Sequence, residues 1–95
     1  MPMHTDEYEI SINREIGHCR KVVEKIERKL AERRQRCGCE YPEAVAAAAA
    51  GRLAIAEREL AEWREDCEAL PVWRQRLADY REALSVMRIS ASRFE

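Results

Sequence analysis

Glycine and proline are scarce in this chain, with three of each among 95 residues. That leaves little of the punctuation that β-rich and loop-rich folds require. Aromatic residues make up only 6%, so aliphatic side chains must supply most of any core. No apolar run approaches the roughly 18–20 residues that cross a bilayer, which excludes a transmembrane helix. The opening Met1-Pro2-Met3-His4-Thr5-Asp6 has neither the basic nor the apolar stretch of a secretory signal. A cytoplasmic location without membrane attachment is therefore expected, and the four cysteines are expected to be reduced thiols.

Catalytic signatures are missing as well. There are two histidines, His4 and His18, and no glycine-rich phosphate loop. Ser11, Ser85, Ser90 and Ser92 sit in no nucleophile motif. Acid–base or nucleophilic chemistry has no cast, so neither an enzyme nor a cofactor is expected.

Charge is abundant, at 37% Asp, Glu, Lys and Arg, and Ala, Glu, Arg and Leu dominate the composition. These side chains lose little rotamer freedom in a helix, so the composition points to an all-α protein. A chain this short buries only about 60–65% of its unfolded surface, and oligomerisation is a ready source of further stability.

Spacing sharpens this into an architecture. Ile12, Ile16, Cys19, Val23, Ile26, Leu30, Arg33 and Cys37 repeat alternately at four and three residues, a heptad seam with one charged exception at Arg33. Asp6 and Glu9 suit an N-terminal capping box, and Gly38 suits a helix stop, predicting helix one over about 6–36. Ala46, Ala49, Leu53, Ala56, Leu60, Trp63, Cys67 and Leu70 form a second seam. With Pro42 in its first turn, helix two is predicted over about 42–70 after a tip at 37–41.

A connector so short forces a long antiparallel hairpin, coiled-coil-like, folded about Gly38–Cys39. That register places Ile12 by Cys67, Ile16 by Trp63 and Leu30 by Ala49, with Arg20–Glu57 and Arg34–Glu43 as flanking ion pairs. Pro71 is expected to open a shorter third helix over about 71–88, followed by a frayed tail over 89–95. The whole is read as one helical domain, 1–95, a three-helix or oligomeric bundle.

Three surfaces remain outside the seam. The flank of helix two, including Ala47, Ala54, Ile55 and Ala61, gives that helix a second apolar side. Either it is covered by Trp73, Leu77, Tyr80 and Leu84 of helix three or those residues form an exposed stripe for a partner. The second surface is the outer face of helix one, where Arg14, Lys21, Lys25 and Arg28 are candidates for binding polyanions. A net charge of −1 argues for a solvated charged face over nucleic-acid binding. The third is Cys37-Gly38-Cys39, a weak metal or redox candidate because two thiols supply only half of a four-ligand zinc site. The favoured function is a non-enzymatic protein–protein interaction module, an adaptor, assembly factor or small inhibitor, self-associating as a homodimer or higher homo-oligomer. A nucleic-acid-binding regulator and a metal or redox sensor at the Cys-Gly-Cys tip are the alternatives.

Overall fold

A computed structural model describes the backbone of residues 3–93 and the side chains of residues 7–89. It contains α1 (Met3–Cys37), α2 (Tyr41–Ala49) and α3 (Glu57–Arg93). The fold is an all-α helical hairpin in which α1 packs against α3, with no strand among the described residues. No helix is long and apolar enough to cross a membrane among those residues.

The first seam behaves as its spacing predicts. Cys19, Val23, Ile26 and Leu30 are buried along α1, and so is Arg33 at the charged position. The helix ends where Gly38 takes φ 71° and donates its backbone N–H to the Arg34 carbonyl at 2.7 Å. A left-handed residue after the last turn is the common way to satisfy an orphan carbonyl, and glycine adopts it without a Cβ clash. At the other end α1 begins at Met3, so Asp6 lies within the helix rather than capping it. The side chains of His4 and Asp6, and those of the expected tail beyond Ile89, lie outside the described residues.

Helix two does not form over 42–70. Its place is taken by the nine-residue α2, a link, and the first part of α3. Pro42 and Glu43 occupy the first turn of α2 as predicted, but the helix closes at Ala50 and Gly51. Gly51 takes φ 76° and donates to the Ala48 carbonyl at 3.1 Å, while Arg52 donates to Ala47 at 2.8 Å. These two bonds are the paired closure of a Schellman motif, which terminates the alanine run decisively. The chain re-enters a helix only where Leu60 N–H reaches the Ala56 carbonyl at 3.1 Å.

Nor does Pro71 open a separate helix. It lies inside α3, which continues to Arg93, so the expected third helix is the second half of the hairpin's return arm. The short helix of the bundle is instead the middle one. Proline removes one backbone donor and crowds the preceding turn. Trp63 and Leu70 before the proline, and Leu77 and Leu84 after it, are buried at heptad spacing. Pro71 itself is exposed, so its lost bond lies on the wet side of the helix.

The chain divides into two compact units. The connector unit, Glu24–Pro71, holds the end of α1, all of α2 and the start of α3. Here Lys29 meets Asp66, Arg33 meets Glu62 and Asp66, and Arg36 meets Glu59, so the arms run antiparallel. The expected register therefore shifts: Cys67, assigned to Ile12, is exposed, and its neighbour Asp66 faces Lys29 and Arg33. Arg34 pairs with Glu40 at 3.7 Å rather than with Glu43. Ala44 of α2 is 0% exposed and Trp63 1%, and the Tyr41 ring meets Trp63 edge-on at 5.7 Å.

The terminal unit comprises the chain up to Val23 and from Val72 onward. Among the described residues it contains two helical segments, from α1 and α3. Arg88 pairs with Glu9 at 3.2 Å, and His18 meets the Trp73 ring edge-on at 5.6 Å, so the segments are again antiparallel. Cys19, Val23, Leu77 and Leu84 are buried between them.

Because Pro71 lies inside α3 on its exposed side, Pro71→Ala restores a helical donor at no packing cost. It is expected to raise stability by about 1–3 kcal/mol, read from the urea midpoint. An unchanged or lowered midpoint would contradict an uninterrupted helix.

Candidate functional site

The polar feature buried most deeply is a cluster of four charged side chains in the connector unit. Arg33 Nη1 donates to Asp66 Oδ2 at 2.6 Å. Lys29 Nζ reaches both oxygens of Asp66, at 3.3 Å and 3.1 Å, and Glu62 stands 3.9 Å from Arg33. The Arg33 and Asp66 side chains are 8% and 13% exposed, so the central pair is largely shielded from water. Burial by itself raises the Asp66 carboxyl, but hydrogen bonds from Arg33 and Lys29, and their charges, outweigh it. The net effect holds Asp66 below its ordinary value of 3.8. A carboxylate gripped by two cations is a poor proton acceptor, so this cluster is built to hold a structure together, not to move a proton. Sequence spacing singled out Arg33, but its partner was invisible because Asp66 lies off the predicted seam.

The thiols occupy separate settings. Cys19 is buried as a small apolar side chain of the terminal unit. Cys37 and Cys39 are half-buried around Gly38. Partial burial, then Cys37, Glu43 and Glu40, push the Cys39 thiol up. Burial and the Asp66 carboxylate do the same to Cys67. A raised thiol holds less of the nucleophilic thiolate at neutral pH. Among the described residues, no three His, Cys, Asp or Glu side chains lie close enough together to hold a metal ion.

The remaining predicted residues are placed as follows. Arg14 and Lys21 are exposed in the terminal unit, and Lys25 and Arg28 are exposed in the connector unit. The alanine flank does not exist as a helical face. Ala47 belongs to α2, Ala54 and Ile55 lie in the link, and Ala61 belongs to α3. Leu77 and Leu84 are not free for a partner, because both are buried, whereas Trp73 and Tyr80 are half-buried.

That gradation on α3 is the most informative surface in the molecule. Side chains advance about 100° per residue around a helix. Leu77 and Leu84 form the buried ridge; next around the helix come half-buried Trp73, Tyr80 and Met87; beyond these are exposed Val72, Ala83 and Val86. The unbroken part of the apolar arc, from Leu77 round to Met87, is about 80° wide, close to the stripe of about 100° that one neighbouring helix covers. Arg76 and Asp79 are the polar residues that interrupt the arc beyond Met87, and Arg76 lies over the Trp73 ring at 4.7 Å. The edge contact of His18 with Trp73 shows which side of α1 adjoins this flank. Sequence reasoning missed Val72, Ala83 and Val86 because it followed one seam per helix. Their spacing, Val72, Arg76, Asp79, Ala83, Val86, alternates four and three and was the available signal.

No family model, curated protein or solved structure matches this chain.

Removing one partner of the buried pair leaves the other charge stranded. Asp66→Ala is expected to cost about 3 kcal/mol in chemical denaturation, whereas Arg33→Met with Asp66→Leu should fall within about 1 kcal/mol of the parent or exceed it. Equal losses in both variants would contradict the pairing. The pH dependence follows from the same geometry. Because Asp66 is depressed in the folded state, its contribution is fully present above the unfolded carboxylate value of about 3.9. It is lost as pH falls through the lower folded value. Acid unfolding curves of the parent and the double variant should therefore converge in that window, and parallel curves would refute the assignment.

Proposed function

We propose that this chain is a non-enzymatic protein–protein interaction module that presents the apolar flank of α3 in its terminal unit to a helical partner. The observation that supports this most is the exposure of Val72, Ala83 and Val86 on α3, beyond the ridge of Leu77 and Leu84 that packs on α1. In the connector unit, the aromatic Trp63 is sealed to 1% exposure in the presence of a third helix. The terminal unit has two helical segments, and Val72 and Val86 remain 49% and 55% exposed there. Exposed apolar side chains grouped on one flank and interspersed with charges are a form that protein interaction sites take.

The test compares proteins retained by the tagged chain in the cells that make it with those retained by a Val72→Lys/Val86→Lys variant. A partner identified with the parent chain and reduced at least about tenfold with the variant is the expected result. Identical retention by both would reject this flank as the binding face.

A further inference from the structure

We infer that Cys37 and Cys39 form a dithiol site that reduces disulfides, closing to an intrachain disulfide across Gly38. The site lies in the connector unit and does not rest on the reading of the α3 flank.

The geometry begins at the end of α1. Cys37 is its last residue, and Gly38 turns the chain at φ 71° before Cys39. A left-handed residue mirrors helical geometry, so the Cα atoms on either side of it stand about 5.5 Å apart. Disulfides bridge Cα atoms roughly 4.4–6.8 Å apart. The turn is held from both sides. Gly38 N–H donates to the Arg34 carbonyl at 2.7 Å, and the Arg34 side chain reaches past the two cysteines to Glu40 at 3.7 Å. Tyr41, which follows Glu40, rests edge-on against the buried Trp63. Two thiols on a short anchored turn meet each other at a far higher effective concentration than either meets a thiol in solution.

Access and isolation point the same way. Both thiols are half-buried, and the space beside Gly38 is open, since a Cβ built there would meet nothing within 4 Å. The other cysteines do not compete. The Lys29–Asp66 pair sets Cys67 near the level of Lys29, about 12 Å along α1 from Cys37. Cys19 is buried in the terminal unit. Partial burial, then Cys37, Glu43 and Glu40, disfavour the Cys39 thiolate, and a disulfide carries no charge for them to oppose.

The thiolate of one cysteine attacks a sulfur of the substrate disulfide, forming a mixed disulfide and expelling the substrate's first thiol. The other cysteine then attacks its neighbour's Sγ, forming the Cys37–Cys39 bond and expelling the second thiol. The cysteine pair loses two electrons and two protons, and the substrate takes them up as two thiols.

Oxidised glutathione is the probe. The reduced full chain is equilibrated with mixtures of reduced and oxidised glutathione, alkylated and cut with trypsin. Cleavage after Arg36 and Arg52 releases both cysteines on one segment, 37–52. That segment should be recovered unalkylated and about 2 Da lighter, with the oxidised-to-reduced ratio at least about tenfold above that of Cys67. Cys37→Ser and Cys39→Ser should each stop at the glutathione mixed disulfide, and Cys67→Ser should close as the parent does. Segment 37–52 alkylated as fully as Cys67 overturns the inference. So does a parent chain that accumulates glutathione adducts or covalent dimers without closing the ring.

Discussion

An apolar heptad seam is tolerant of sliding, because a shift of seven residues presents the same kinds of side chain to the partner helix. Arg33 removes that freedom. Buried at an otherwise apolar position of α1, it is satisfied only where a carboxylate stands opposite, and Asp66 is that carboxylate. Lys29 and Glu62 close around the pair. Slipping the arms by one heptad would put Trp73 opposite Arg33 in one direction and Glu59 in the other, and either way the pair with Asp66 and Lys29 is lost. The seam supplies most of the stability of the connector unit, and the ion pair selects the register in which that stability is collected.

From that register follows the position of everything else in the connector unit. Arg36 meets Glu59 one helical turn further along α1. The arms then need more chain between them than Gly38–Cys39 provides, and α2 with its link fills the interval. Having been placed there, α2 is not idle. Ala44 is small enough to allow close approach, and Tyr41 brings its ring edge to Trp63. The result is a three-helix core in which a tryptophan is fully withdrawn from water.

Among the described residues, the terminal unit is built from the same two arms, α1 and α3. Its buried residues are few, Cys19, Val23, Leu77 and Leu84, and its aromatics remain partly wet. The contrast between the units is one of helix number, not of sequence character, because heptad spacing runs along α1 and α3 alike.

How much of this was legible in the residues can be read from particular elements. The α-helical class, the α1 seam, the Gly38 stop and the singular position of Arg33 all follow from spacing and from glycine's freedom at positive φ. The end of α2 was harder. Alanine counts as apolar at every position, so Ala46, Ala49 and Ala56 let a heptad be drawn straight through Gly51. The signal against it was Gly51 itself, following the alanine run at a helix-ending position. Pro71 misled in the opposite direction. Local chemistry marks proline as a break, but burial of Leu70 and Leu77 on either side held α3 together. The sequence by itself determined that the chain is helical, where α1 ends and which position of its seam carries a charge, since these depend on residues near one another in the chain. The partner of that charge, the role of α2 and the continuity of α3 were decided only in the tertiary structure, because each depends on packing between residues dozens of positions apart.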